Sequence, residues 1–372
     1  MFFARVYFLF ILIPFCSTNY GVSKSTLAKS AGKKSISKGQ AHHNKQQHVK
    51  TAIVITDERK ILHNEYADRR VYPASLTKLA TLYILFQRLK SGDITLSTKF
   101  KVSNNASLQI PSKLGLVPGS TISVLDSIYA LAVKSANDVA VVVAEGLAGS
   151  VKKFCRLMNQ QAARIGMKNT HFKNPSGLFD AEQFTTARDL AILGLALCED
   201  FPEYRHYLSI KTFKFGQSMH PTHCKILHWC KAVDGAKTGY IRQSGFNLFV
   251  TARNPVTGRR VVVVVTGWNS QKPRDMYAAK LVTTHTRPGH NTGNLPIARQ
   301  IRKSLHAQID MPPLLGAQQQ TLSEVSPVST SILEVIQQDD EIMLTPGIDK
   351  WYSKKETDIM VEAEEPVKVC SP

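Results

Sequence analysis

The chain has 372 residues, 43% of them hydrophobic, which is enough apolar material for a sizeable core. Lysine and arginine number 47 against 28 acidic residues, a formal net charge of +19. That balance points to a polyanionic neighbour, but no Arg/Lys-rich helix, RNA-binding motif or zinc pattern accompanies it. Nucleic acid is therefore disfavoured, leaving an anionic envelope polymer, a membrane surface or a simply solvated basic face.

In chain order, Met1 to Arg5 carries one positive charge and Val6 to Phe15 is an almost unbroken apolar run. The run is short for a membrane span and has the length of a signal-peptide core, so residues 1–21 are expected to be a signal peptide or N-terminal anchor. No small-x-small pair marks a cleavage point near Cys16, and Pro14 with Phe15 argues against a lipoprotein. Residues 22–50 form a basic linker without an acidic residue, too polar to offset chain entropy by burial. From Thr51 the pattern becomes that of a folded domain, expected to run to residue 283. The extension 284–372 lacks a sustained period and turns acidic, with eleven Asp and Glu against four Lys from Thr321 onward. It is expected to be largely disordered.

Within 51–283, Thr51 to Thr56 and Ile61 to Glu65 read as a hairpin around Glu58-Arg59-Lys60. Pro73 suits the first turn of a helix whose Leu79, Leu82, Phe86 and Leu89 make one apolar face. Leu96 to Val117 is broken by Asn104-Asn105, Pro111 and Pro118-Gly119 into strands and loops. Thr121 is expected to open a helix lined by Leu125, Ile128 and Leu131. After a break at Ser135-Ala136-Asn137, further helices are expected over Asp138 to Leu147, Val151 to Ile165 and Thr185 to Leu197. Alternation around Ile226 to Trp229 suggests a strand. Phe246 to Thr251 and Arg260 to Thr266 are β-branched strands joined through Asn254 to Gly258, and a helix from Pro273 to Val282 closes the domain. The fold class is α+β, an antiparallel sheet with a helical cluster packed on it.

Six cysteines are present, and loss of Cys16 with a signal peptide would leave an odd number. Cys224 and Cys230 are near enough in sequence to bridge, and equally fit buried free thiols. His220, His223, Cys224, His228 and Cys230 form a run that resembles a metal site only superficially, since the spacings match no zinc pattern. No metal and no cofactor is expected.

Three short motifs carry chemistry. Ser75 and Lys78 lie one helical turn apart, a hydroxyl beside an amine that could take its proton; alone, the pair equally fits a helix cap and a solvated lysine. Ser135-Ala136-Asn137 sits in a turn between buried helices, where Asn137 would serve as an N-cap. Lys237-Thr238-Gly239 lies at a strand edge, offering a cation and a hydroxyl to an anion and a glycine for close approach. Each is weak by itself.

In this order and spacing, Ser-x-x-Lys, Ser-x-Asn and Lys-Thr-Gly resemble the signature of penicillin-binding proteins and serine β-lactamases. With the flanks Pro73 to Thr81, Ser135 to Val139, Phe172 to Leu178 and Val233 to Leu248, the stretch from Thr51 to Val282 resembles the D-alanyl-D-alanine carboxypeptidases. The resemblance implies a β-lactamase/transpeptidase-like fold and a cleft between helices and sheet. It implies Ser75 as nucleophile, Lys78 as general base and Ser135 as proton relay. Asn137, Lys237, Thr238, Gly239 and Tyr240 would bind substrate, with backbone N–H groups of Ser75 and Tyr240 as oxyanion hole. The implied partners are peptidoglycan peptide stems, with β-lactams as inhibitors, and the implied location is the periplasm or the outer face of the cytoplasmic membrane. Ala136 stands where the family often has glycine. The residues after the core do not read as an all-β second domain, and 361–372 is no basic amphipathic helix, so any membrane tether would come from the N-terminal segment. No Glu-x-x-x-Asn element occurs between Asn137 and Lys237, which disfavours a β-lactamase. A D,D-endopeptidase would use the same residues, and a non-catalytic wall-binding protein would not need them intact.

Overall fold

The computed structural model describes residues 48–254, 257–286 and 348–352. The expected signal segment, the linker up to residue 47 and most of the C-terminal extension lie outside them. Along the chain come β1 (Thr51–Thr56), β2 (Ile61–Glu65), a 3-10 turn (Ala74–Leu76), α1 (Thr77–Lys90), β3 (Lys99–Lys101), α2 (Asn104–Ser107) and β4 (Thr121–Ser123). Then follow α3 (Val124–Tyr129), a π-helical turn (Ala130–Lys134), α4 (Asn137–Ala148), α5 (Val151–Ile165), α6 (Ala187–Asp200), β5 (Thr212–Phe215) and β6 (Ser218–Pro221). A 3-10 turn (Lys225–His228) leads to β7 (Val233–Ile241), β8 (Gly245–Arg253), β9 (Arg260–Trp268) and α7 (Gln271–Thr286).

The main sheet is antiparallel, in the order β2-β1-β9-β8-β7. Its middle strands β1, β9 and β8 are buried almost throughout because both faces are covered, and β9 carries an unbroken valine run. Val262 and Val264 of β9 join Ile53, Ile55 and Phe249 against the helical cluster. Val261, Val263 and Val265 face the other way, with Val54 and Val250, onto Ala278, Ala279 and Val282 of α7. A strand buried on both sides cannot show the polar–apolar alternation of a half-exposed one.

Local chemistry explains the differences from expectation. Thr121 does not open a helix: Thr121–Ser123 pairs with β3, and Ser123 caps α3 by accepting from the Asp126 N–H at 3.0 Å. Asn137 is not the N-cap of α4 either; Ala136 is, and the Asn137 side chain is engaged elsewhere. The strand expected at Ile226 to Trp229 is the 3-10 turn, because neighbouring Ile226 and Leu227 are both buried, which a strand at a surface would not allow. Cys224 and Cys230 are buried free thiols. The β5–β6 hairpin was not foreseen, although Phe213 and Phe215 ahead of Gly216 were a signal for it.

In the described part of the extension, 348–352, Asp349, Trp351 and Tyr352 make contacts on the sheet's α7 side. Tyr352 donates to Asp275 at 2.8 Å and accepts from the Trp229 indole at 3.1 Å. The Trp351 ring stacks 4.2 Å from that of His228, and Asp349 pairs with Lys272. Among the described residues no helix is long and apolar enough to cross a membrane.

Candidate active site

A cavity of about 230 Å³ opens where the 3-10 turn before α1, the break between the π turn and α4, and β7 converge. All three sequence motifs meet on its walls. Ser75 is half-buried on the turn leading into α1, and Lys78 is 0% exposed one turn further on.

The surroundings of Lys78 decide what it can do. Its Nζ lies 2.7 Å from Asn137 Oδ1, 2.6 Å from the Ser176 carbonyl oxygen and 3.0 Å from Ser75 Oγ. The first two can only accept. A neutral amine has two N–H groups and one lone pair, so donating to both leaves the lone pair for the Ser75 hydroxyl. Burial, then the positive charge of Lys237, push the Lys78 pKa well below the ordinary lysine value, against a smaller opposing pull from Asp138. Burial and the neighbouring charge thus shift Lys78 toward its neutral form. A hydroxyl–amine pair of this kind has the chemistry to act as an activated nucleophile.

Neighbouring segments lock that geometry. Thr81, three residues beyond Lys78, donates to the Pro175 carbonyl at 2.7 Å, so α1 holds the 175–176 backbone at two points. Asn174 Oδ1 accepts from the Gly177 N–H at 2.7 Å, bending the chain tightly. Gly177 has φ +90°, and a Cβ there would sit 1.8 Å from the Ala74 carbonyl oxygen, directly behind the nucleophile. Only glycine fits.

Ser135 ends the π turn with left-handed φ 60°, strained for a non-glycine residue. That conformation turns its hydroxyl toward β7, where Lys237 Nζ donates to Ser135 Oγ at 2.8 Å and to the Thr238 carbonyl at 3.0 Å. Asn137 Nδ2 donates to the Ile110 carbonyl at 2.9 Å while its oxygen receives Lys78, so this amide ties the 110–112 loop to the nucleophile. Asp138, fully buried, accepts from the backbone N–H groups of Leu114, Gly115 and Leu116 at 2.9–3.2 Å and fixes the rest of that loop.

Lys237 is 1% exposed and lies on β7, an edge strand of the sheet. Its pKa is pushed down to about 8, chiefly by burial, so at neutral pH it remains largely charged. Asp234, three residues earlier, grips Arg260 of β9 through two 2.8 Å contacts and fixes the strand's entry. A Cβ on Gly239 would lie 3.1 Å from the Pro73 carbonyl and 3.2 Å from Ser75 N, so the strand passes right beside the nucleophile's own backbone. Thr238, Gly239 and Tyr240 line the cavity, and the Tyr240 ring packs 4.3 Å from that of Phe246.

Every site residue expected from the motifs is thus brought to this cavity or to the hydrogen bonds behind it. Sequence reasoning missed four contributors. The Ser176 carbonyl and the Asp138 carboxylate lie in stretches the motif flanks cover, but their roles have no sequence signal. Lys134 and His223 also line the cavity, and only the histidine had drawn notice, as part of a metal-like run.

Comparison with known proteins agrees. A family model described as D-alanyl-D-alanine carboxypeptidase matches residues 38–270. The chain is 31% identical over 269 residues to D-alanyl-D-alanine carboxypeptidase DacF of Bacillus subtilis, covering 70% of this chain and 68% of that one. It is 36% identical over 232 residues to the Escherichia coli carboxypeptidase DacC, covering 60% of this chain and 57% of the relative. It spans a similar share, a little over half, of several other curated relatives. The crystal structure of penicillin binding protein 5 from Haemophilus influenzae matches with TM-score 0.60 and 34% identity, over 63% of this chain and 69% of that chain.

Proposed function

The chain belongs to the D-alanyl-D-alanine carboxypeptidase family, and from that premise we propose that it is a serine D,D-carboxypeptidase that removes the terminal D-alanine of peptidoglycan pentapeptide stems. The single observation that carries this reading is the 3.0 Å contact of the buried Lys78 Nζ with Ser75 Oγ, beside two acceptors that a neutral amine satisfies while keeping its lone pair for the serine.

Ser75 Oγ attacks the carbonyl carbon between the two terminal D-alanines as its proton passes to Lys78 Nζ. The oxygen that gains charge is received by the backbone N–H groups of Ser75 and Tyr240, a role supported by the close passage of Gly239 and worth about 3 kcal/mol per donor. The C–N bond then breaks, and the proton held by Lys78 is relayed to the departing amine through Ser135, whose hydroxyl lies beside the charged Lys237. Lys237 and Thr238 receive the substrate's terminal carboxylate, and Asn137 holds the peptide. Water attacks the Ser75 ester, the stem shortened by one residue leaves, and the serine proton is restored.

β-Lactams mimic the same acyl donor and acylate Ser75. Export supports the reading: the basic start and the apolar run Val6 to Phe15 would deliver the enzyme to the envelope, in the periplasm or at the outer face of the cytoplasmic membrane, where its substrate lies. Any membrane association is assigned to that N-terminal segment.

Incubation of the purified chain with penicillin, digestion and mass spectrometry should find the adduct on the peptide containing Ser75, and incubation with pentapeptide should release one D-alanine per stem. An adduct elsewhere with Ser75 unmodified would overturn the assignment. Faster cleavage of cross-linked dimers than of pentapeptide would make the enzyme an endopeptidase instead.

A further inference from the structure

His223 lines the same cavity as Ser75 and Thr238, yet the mechanism above gives it nothing to do. It follows β6 on a segment pinned on both sides. The Thr222 N–H donates to the Lys211 carbonyl at 2.7 Å, the Thr222 hydroxyl accepts from Cys224 N at 3.1 Å, and Lys225 N donates to the His223 carbonyl at 3.1 Å. The half-buried imidazole is thus held at the cavity wall by fixed backbone.

The charges that act on it are Lys237 from β7, Lys134 from the π turn, Lys225 from its own 3-10 turn and Lys78 from α1, all positive. A histidine among cations and partly withdrawn from water favours its neutral form: burial first, then Lys237, push its pKa down to about 3. An arriving carboxylate changes the sign of the nearest charge, and an opposite charge at contact favours the charged imidazole.

We propose that His223 is a specificity-determining residue of this cleft, forming with Lys237 and Thr238 a subsite that takes up one proton as the substrate's terminal carboxylate enters. The empty cleft is spared a further buried cation beside Lys237. The occupied cleft gains one, so ligands with a carboxylate are favoured over neutral ones by a margin that grows as pH falls.

The inference rests on the carboxypeptidase reading, and its test separates the two. Acylation rates of the full chain are measured with a penicillin and with its methyl ester between pH 5 and pH 7. Proton demand at Lys78 affects both ligands and cancels in their ratio, while Lys237, titrating near 8, stays charged throughout. The wild-type ratio of penicillin to ester should rise roughly two- to tenfold from pH 7 to pH 5, bounded by the tenfold per pH unit of a one-proton linkage. In His223→Asn and the longer His223→Gln, neither of which can take the proton, the ratio should be flat. The ester rate shows that each variant retains a working nucleophile.

A flat wild-type ratio overturns the proposal whatever the variants do. Variants that keep the wild-type slope, or that lose both ligands equally at every pH, also overturn it and reduce His223 to a wall residue. Failure of either ligand to acylate the wild-type chain would instead overturn the carboxypeptidase reading and this inference with it.

Discussion

Lys78 and Lys237 carry the same functional group at the same depth, but their neighbours assign them opposite work. In the proposed reaction Lys78 must be neutral when Ser75 reacts, whereas Lys237 must be charged to receive an anion. Acylation should therefore follow a bell-shaped pH profile. On the acid side, falling pH protonates Lys78 and activity is lost below its depressed pKa. On the alkaline side, Lys237 loses its proton as pH rises through about 8 and attraction for the carboxylate fades. Lys78→Arg keeps a charge that cannot be given up and should lower acylation roughly 10²–10⁴-fold, the usual worth of a general base. Lys237→Arg should keep part of the activity, lose more with carboxylate ligands than with neutral ones, and shift the alkaline limb upward. Rates for both variants with penicillin and its ester across pH 5–10 check this; activity in Lys78→Arg beside an equal loss for both ligands in Lys237→Arg would reverse the roles.

Among the elements, the stretch 348–352 has no counterpart in the sequence expectations. Its anchor is Tyr352, whose hydroxyl reaches the fully buried Asp275 carboxylate. Asp275 also accepts from Arg274 Nε at 2.7 Å, and Arg274 Nη1 donates to the Asn247 carbonyl on β8 at 3.1 Å. Burial first raises the Asp275 carboxyl pKa, and Arg274 and Tyr352 oppose that shift, so Tyr352 supports the ionised form. Tyr352→Phe removes a hydrogen bond to a charged group and should cost about 2 kcal/mol of stability, read from the denaturant midpoint. None of these residues lines the cavity, so the penicillin acylation rate at 25 °C should remain within about twofold of wild type. A tenfold loss of acylation with unchanged stability would instead make the segment part of the catalytic unit.

For the molecule as a whole, what the sequence disclosed follows from physical causes. The strands β1 and β9 were legible because β-branched runs have few other structures open to them, and β2 and β8 because short turn sequences tie them to those strands. α5 was legible to its ends, with Phe154, Met158 and Ala162 four apart behind a serine cap. The site was legible as three motifs but not as geometry. Asn137 has every property of an N-cap, and only the tertiary approach of Lys78 draws its oxygen away. Ser176 acts through its carbonyl, which side-chain identity does not encode. His223 stood in a run that looked like metal ligands, and its meaning depends on lysines that β7, the π turn and α1 bring from elsewhere.

The strand order sets when this site can come into being. β1 pairs with β9, and the Thr51 and Thr266 hydroxyls, 215 positions apart in sequence, meet at 2.8 Å. The partners of Lys78 are nearer along the chain and lie in the helical cluster, at Asn137 and Ser176. The Ser135–Lys237 contact instead joins that cluster to the sheet. Pairings of such long range are slow to form, because loop entropy is spent before any contact repays it. The helices and the nucleophile pair should assemble early, with β7 arriving beside Ser75 only when the sheet closes. Reactivity toward penicillin would then time the last step of folding. In refolding from denaturant, far-ultraviolet dichroism should recover ahead of the capacity to be acylated; simultaneous recovery would mean that cluster and sheet fold as one unit.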